Sequence, residues 1–376
     1  MSTINEIRER IDQCDRALIA AIAERQKCVD ELMTLKKAQG EPLRDPSREA
    51  NMLAALQALA DAHQLSHELV IDVMQRIVRD SYSRQAQQAF PCAGSPKRIV
   101  IIGGSGQLGQ LFKTLFARSG HQVTSLEKGE WDATHPALSN ADMVMLAVPM
   151  AAMEAVVKQL THLKPETLLV DIASVKRAPV AQMMTAHKGP VLGLHPMFGP
   201  GLEQLARQLV LYSVGRDLAA SQWLLRQMEL WGCVLAPVTA QKHDELMSEI
   251  QGVRHFLSFC HGWHLLNGEH SLPELYAASS PIYRVELAMV GRMFAQAPEL
   301  YIDIMLQAAA GFDFTRQLAS VYQQAGALIK DQQRAQLIAQ FTRIAEFFKQ
   351  SDIDLYRESD ELLNAYRERL ASRHSD

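Results

Sequence analysis

The chain has 376 residues, 48% of them apolar and 21% charged, and its 38 basic against 42 acidic side chains leave a formal net charge of −4. That length holds about two or three domains, and the apolar fraction excludes a largely disordered or low-complexity chain. With no surplus of Lys and Arg it is no general polyanion binder, so nucleic acid is not an expected partner.

The first ninety residues are poor in turn-formers. Apolar side chains recur at Ile4, Ile7, Ile11, Cys14, Leu18 and Ile22, then Val29 and Leu32, in steps that predict one long amphipathic helix of about 36 residues, roughly 50 Å. That exceeds what one small domain covers, so the stripe is expected to pair with another chain. Gly40, Pro42 and Pro46 break it. A second helix is predicted from about Asp45 to His63, and a third from Ser66 to about Ala89. The stretch Phe90–Pro96 reads as a linker, after which Lys97–Ile102 reads as a buried strand. Gly103–Gly109 leads into a helix over Gln110–Arg118, with further strands at Gln122–Leu126, Asp142–Val148 and Thr167–Asp171. Strands alternating with helices predict a parallel, doubly wound sheet. From about Thr239 the chain turns helical again, dividing it into residues 1–92, 97–238 and 239–376.

The N-terminus is charged almost from its start, with no apolar core of a signal peptide, and the longest apolar run, Met143–Met153, is too short to span a bilayer. A cytoplasmic protein without a membrane partner is expected. Cys14, Cys28, Cys92, Cys233 and Cys260 lack any zinc-ligand spacing and read as reduced, mostly buried thiols; His261 and His264 lack a third ligand, so no metal is expected.

Gly104-x-Gly106-Gln107-x-Gly109 follows a strand and opens a helix, and the next strand ends in Glu127. Such glycines let the backbone approach a pyrophosphate at a helix N-terminus while the acid accepts from the adenine ribose, so this segment predicts dinucleotide binding. Glu127 favours NAD over NADP, because a carboxylate repels a 2′-phosphate. His195 is expected in a Gly/Pro-rich loop directly after a strand, at the cofactor crevice, where an imidazole suits proton transfer; a histidine that only shapes the loop is the other reading. Ser174 and Lys176 follow a similar strand exit, either at the same site or as a capping serine and a solvated lysine. Arg292 lies among apolar helical neighbours and, if buried, needs an anion, either a substrate carboxylate or an acid such as Glu286. Arg25 and Lys36 fall on the apolar stripe of the first helix. With Arg8 and Arg48 they form a cradle for a small dianion, with Asp45, Glu49, Ser81 and Gln85 for its hydroxyl and ether groups, or they are snorkelling cations at a coiled-coil edge.

Two whole-domain resemblances follow from these motifs. Arg8-x-x-Ile11-Asp12, Arg25, Lys36, Asp45-Pro-Ser-Arg48-Glu49 and Asp80-Ser81-x-x-x-Gln85 resemble the all-helical chorismate mutases. Gly103–Gly109, Asp171–Lys176, Gly193–Pro200 and Ser279–Arg284 through Arg292 resemble prephenate dehydrogenases. Their order in one chain is similar to that of the bifunctional chorismate mutase/prephenate dehydrogenase family of tyrosine biosynthesis. The resemblance implies an all-α mutase domain, a Rossmann-like NAD-binding domain, and an all-α substrate-binding and dimerisation domain in a homodimer. It implies chorismate and prephenate as substrates, NAD as cofactor and tyrosine as feedback inhibitor. By the same resemblance Arg8 (from a partner chain), Arg25 and Arg48 bind carboxylates, Lys36 and Gln85 donate to the ether oxygen, and Asp45 and Glu49 meet the ring hydroxyl. His195 takes a hydrogen bond or proton from the 4-hydroxyl, Ser174 orients both, and Lys176, His255 and Arg292 support and hold the substrate. Two other functions stand beside these: a Rossmann 3-hydroxy acid dehydrogenase with a helical dimerisation module, and a non-catalytic NAD sensor.

Overall fold

The structure is a computed structural model that describes residues 3–42, 44–86, 90–199, 201–202, 205–311 and 313–373. Met1–His243 make one compact unit and Asp244–Asp376 a second, so the N-terminal helices and the sheet belong to the same unit.

Helix α1 (Ile4–Gln39) opens on a capping box between Thr3 and Glu6 and closes on Gly40, whose N–H reaches the Lys36 and Lys37 carbonyls. On its rear half Ile22, Arg25, Gln26, Val29, Met33 and Lys36 are half-buried, a helical spacing that faces α3. Residues 3–21 are exposed throughout, with Ile4 71% and Ile19 67% bare. Leu32 is exposed and Met33 packs in its stead. Helix α2 (Pro46–Ala62) is capped by Asp45, whose Oδ1 accepts the Arg48 N–H at 2.9 Å, and α3 (His67–Ala86) packs against it. The Phe90–Pro96 connection is more firmly held than its composition implies. Phe90 is buried in the sheet core, and Gln227 donates to the Pro91 carbonyl at 3.1 Å while accepting the Ala93 N–H at 2.9 Å.

Next come β1 (Arg98–Ile102), α4 (Gln107–Arg118), β2 (Gln122–Leu126), α5 (Pro136–Ser139), β3 (Met143–Leu146), α6 (Met150–Lys158), β4 (Leu168–Asp171), α7 (Arg177–Ala186), β5 (Val191–Pro196), β6 (Leu209–Arg216), α8 (Leu218–Leu230) and β7 (Val234–Pro237). The sheet order is β2-β1-β3-β4-β5-β6-β7. The first five strands are parallel, as the alternating pattern predicts, but β6 runs antiparallel to β5, and β7 is parallel to β6. Residues 197–208 between β5 and β6 hold no helix among the described residues, and only a crossover of a dozen or more residues, usually helical, returns a chain parallel. Alternation along the strands divides two cores. Ile99, Ile101, Met143, Met145, Leu192 and Leu194 meet Phe112 and Phe116 of α4 and Leu224 of α8. Val100, Ile102, Val144, Leu146 and Val191 meet Met153 and Val157 of α6 and Met183 of α7 on the other face.

The second unit takes over within α9 (Ala240–Met247) and continues through a π-helical segment Ser248–Val253, α10 (Arg254–Leu266), α11 (Leu272–Ala277), α12 (Pro281–Phe294), α13 (Pro298–Gly311), α14 (Phe314–Lys330), α15 (Arg334–Lys349) and α16 (Leu355–Arg373). Trp263, Leu266, Phe341, Phe347 and Tyr356 are exposed on it. An apolar cavity of about 730 Å³ lies between α10 and α12, lined by Phe259, Trp263, Leu287, Val290 and Phe294. The expectation of mostly buried thiols does not hold. Only Cys233 is buried, Cys92 and Cys260 are intermediate, and Cys14 and Cys28 lie exposed on α1. No described helix is long and apolar enough to cross a membrane.

Candidate active sites

On the N-terminal helices the expected residues divide by exposure. Arg25 donates to Ser81 Oγ at 3.4 Å, and the single Ser81 hydroxyl proton is shared between Gln26 Oε1 at 3.1 Å and the Ile77 carbonyl at 3.0 Å. Lys36 Nζ donates to the Pro42 carbonyl at 3.1 Å. Arg8, Asp45 and Arg48 are exposed, and the side chain of Gln85 lies outside the described residues. Glu49 is 9% exposed, its two oxygens engaged by residues the sequence did not single out. Tyr82 donates to Oε1, and Arg207 (2.7 Å) and Arg44 (3.3 Å) donate to Oε2. Burial opposes the charge on Glu49, but these three donors outweigh it and hold the carboxyl below its ordinary range; burial and the same carboxylate push the Tyr82 phenol up.

Parallel pairing brings the ends of β1, β4 and β5 to one sheet edge. At the end of β1 the glycine loop turns into α4 without a side-chain cap, leaving its first N–H groups available. A Cβ on Gly109 would stand 2.7 Å from the Gly103 carbonyl oxygen and 2.8 Å from Gly104 Cα, so the close turn admits only glycine there. Glu127 is fixed against this loop, accepting from the Ser105 N–H and Oγ, each at 2.7 Å, and from Ser125 Oγ at 3.0 Å. Burial acts against these bonds, which nonetheless lower its carboxyl, so it stays an anion with acceptor capacity to spare. Glycine turn, open helix end and fixed acid fit a dinucleotide.

His195 lies within β5 itself, not in a loop after it: the strand continues through Pro196, pairing His195 with Leu211 of β6. Its ring is buried, and Nδ1 meets His243 Nε2 at 2.8 Å. One imidazole must donate and the other accept, so at least one of the rings is neutral. His243 is thus the partner of His195; Ser174 is half-buried at the β4 exit. Lys176 is not solvated. It is fully buried, donating to Asp171 Oδ2, which also accepts the Ala173 N–H at 2.9 Å. Burial pushes the Asp171 carboxyl up against the pull of Lys176, Ala173 and His243, and its Oδ1 has no hydrogen-bond partner among the described residues. Space for the pair depends on Gly193, where a Cβ would lie 2.9 Å from Lys176 Cδ and 3.1 Å from Asp171 Oδ1.

In the second unit His255 is buried, its ring edge-on to Tyr301 at 4.8 Å, and burial with neighbouring Arg254 lowers its pKa to about 4. Arg292 is exposed on α12, so the condition of a buried cation does not arise. Arg284 is the better-fixed guanidinium, donating to the Tyr276 carbonyl at 3.2 Å and Ser279 Oγ at 3.3 Å, and lying over the Tyr276 ring. Sequence reasoning passed over Tyr82, Arg207 and the roles of Asp171 and His243. Asp171 lay in the Asp171–Lys176 segment that carries the resemblance, and His243 shares a helix face with Ala240, Leu246 and Met247.

Known proteins match the chain in three blocks: chorismate mutase type II over residues 7–86, the prephenate dehydrogenase nucleotide-binding domain over 118–212, and the prephenate dehydrogenase dimerization domain over 239–343. The T-protein of Enterobacter agglomerans is 40% identical over 349 residues, covering 93% of this chain and 94% of the relative. That of Haemophilus influenzae is 37% identical over 365 residues, covering 96% and 97%. Among solved structures, prephenate dehydrogenase from Aquifex aeolicus superposes with a TM-score of 0.54 at 17% identity over 68% of this chain and 98% of its own. Synechocystis arogenate dehydrogenase gives 0.52 at 18% over 67% and 99%. A helical mutase domain joined to a nucleotide-dependent dehydrogenase defines a bifunctional enzyme. The chain belongs to the T-protein family, the chorismate mutase/prephenate dehydrogenases of tyrosine biosynthesis.

Proposed function

We propose that two separate sets of side chains carry the two reactions of this enzyme, the mutase set on α1–α3 and a dehydrogenase set that includes His195. The enzyme rearranges chorismate to prephenate and oxidatively decarboxylates prephenate to 4-hydroxyphenylpyruvate. The rearrangement is pericyclic and needs no covalent catalyst, only a folded conformer and cations where charge builds on the ether oxygen. Arg25 and Arg48, with Arg8 of a second copy, hold the carboxylates. Lys36 and Gln85 serve the ether oxygen, and Asp45, Glu49 and Ser81 serve the ring hydroxyl. The half-buried Arg25, bonded to Ser81, and the half-buried Lys36 support this reading.

In the dehydrogenase reaction His195 takes the proton of the 4-hydroxyl, which directs electrons out of the ring as carboxylate leaves. The observation that carries this assignment is the buried contact of its Nδ1 with His243 Nε2, which fixes the orientation of the ring. Ser174 lies near the same strand exits to orient the hydroxyl, Lys176 acts by holding Asp171, His255 gives support, and Arg292 is assigned to a substrate carboxylate. Gly104, Gly106, Gln107, Gly109 and Glu127 would hold NAD⁺, which when bound supplies the acceptor for the hydride released from the ring.

Two assays test the halves separately: loss of chorismate, and NADH formation from added prephenate and NAD⁺. Arg25→Ala should abolish chorismate loss and spare prephenate-fed NADH formation; His195→Asn should do the reverse. Each variant silencing both activities, or neither, refutes the division. The apolar surface of the second unit and the bare front of α1 support a homodimer, which sedimentation would reveal as a particle of twice the chain mass. Tyrosine is proposed to inhibit the dehydrogenase, and unchanged NADH production at saturating tyrosine refutes that.

A further inference from the structure

Arg207 belongs to the nucleotide-binding domain by sequence, on the connection from β5, which carries His195, to β6. Its guanidinium nevertheless ends on Glu49 of α2, 2.7 Å from Oε2. Arg207 takes a left-handed backbone conformation, φ 66°, that side chains other than glycine adopt at a cost, and its N–H is anchored on the Gly232 carbonyl at 2.8 Å. Among the described residues the groups bonded to Glu49 are all donors: Arg44 from the segment before α2, Tyr82 from α3, and Arg207 from across the domain seam. Tyr82 occupies Oε1 and the two arginines share Oε2, which fixes the plane of the carboxylate as well as its charge. A second tie crosses the same seam, since Arg226 of α8 donates to the Gly40 carbonyl at 3.2 Å, in the turn where Pro42 accepts from Lys36.

We propose that Arg207 is a positioning residue for the mutase reaction: a side chain of the dehydrogenase domain that orients Glu49 and keeps it ionised to accept the ring hydroxyl of chorismate. The proposal rests on the assignment of Glu49 to that hydroxyl. Arg207 itself does not touch substrate. Its effect runs through the carboxylate, because a charge-assisted bond fixes an acceptor more firmly than a neutral one and lowers the pH at which it is lost to protonation. Removing the guanidinium leaves Arg44 and Tyr82 in place, so Glu49 stays bonded but loses its shortest cation contact and one constraint on its plane.

The test uses the full chain with chorismate for the mutase and prephenate plus NAD⁺ for the dehydrogenase. Arg207→Ala is expected to lower mutase kcat/KM about tenfold, mostly in kcat, the scale of one hydrogen bond to a charged group. Arg207→Lys should recover most of it. Dehydrogenase kcat/KM should stay within about twofold, which excludes general damage to the domain that carries the mutation. In Arg207→Ala the acid limb of the mutase pH profile should move to higher pH, because Glu49 then protonates more readily. Adding Arg207→Ala to Glu49→Gln should cost nothing further. If Glu49→Gln impairs the mutase while Arg207→Ala matches the parent, or raises mutase activity, the positioning role is overturned and the role of Glu49 stands. If Glu49→Gln leaves the mutase intact, both fail together.

Discussion

Replacing Lys176 by Met leaves the Asp171 carboxyl group buried without its cation. The group is fully enclosed, so the variant can keep it only in the protonated form, with a folded-state pKa raised well beyond the unfolded value near 3.9. For an acid raised in this way the stability is present below the unfolded pKa and is lost as pH rises through the window up to the folded pKa. Burial already raises this carboxyl in the parent, where Lys176 holds the rise back, so the cost of Lys176→Met relative to the parent grows with pH by at most about 1.4 kcal/mol per unit. At pH 7 it should approach the roughly 3–5 kcal/mol of breaking a buried pair by removing one partner, and at pH 5 it should be smaller. Urea unfolding of parent and variant at the two pH values reads the difference directly. The double variant Asp171→Leu with Lys176→Met should remove the pH dependence and regain most of the stability, because two apolar groups leave no charge to strand. A gap between parent and Lys176→Met that is the same at pH 5 and pH 7 would refute the reasoning.

His243→Ala should lower dehydrogenase kcat about 100-fold, since His195 loses the partner that fixes its ring, with the KM for NAD⁺ and the mutase rate unchanged. Steady-state kinetics with prephenate checks this. Gly109→Val should raise the Kd for NAD⁺ at least about tenfold by forcing the turn away from α4, measured by calorimetry, and spare chorismate turnover. His255 has its pKa depressed, so the stability it contributes is present above about pH 6.5 and falls as pH drops toward about 4. His255→Gln should flatten that dependence in thermal melts taken across the window.

Periodicity in the sequence located α1, α2 and the start of α3 almost to the residue, because Gly40, Asp45 and Ser66 mark those ends through local hydrogen bonding, while the expected end of α3 at about Ala89 lies outside the described residues. Strands β1, β3 and β4 were equally legible as short apolar runs, whereas the end of β5 was not, since the strand carries on through His195 and Pro196. Strand β6 was not, because Leu209–Arg216 is only partly buried and its direction depends on the absence of a crossover helix. At the sites, residue type pointed to His195, Lys36 and Glu127, but not to what holds them. Arg207 lies 158 positions from Glu49, and His243 lies 48 from His195. Such pairings are set by tertiary packing, which leaves no local pattern to read. Lys176 shows the limit most clearly. A lysine after a strand is ordinarily wet, and only the space left by Gly193 and the charge of Asp171 allow it inside.

The connection between α3 and β1 has a practical consequence for dividing the two enzymes. Its glycine and prolines mark Gly94–Pro96 as the obvious place to cut, yet Phe90 fills a hole in the sheet's core, and both ends of the Gln227 amide are satisfied by the backbone at Pro91 and Ala93. A dehydrogenase fragment starting at Lys97 would expose that hole and take from the buried Gln227 amide its two backbone partners, leaving only its bonds to Ser119 and His121. One that begins before Phe90 takes the plug with it, so the boundary that matters for a stand-alone dehydrogenase lies several residues upstream of where composition changes.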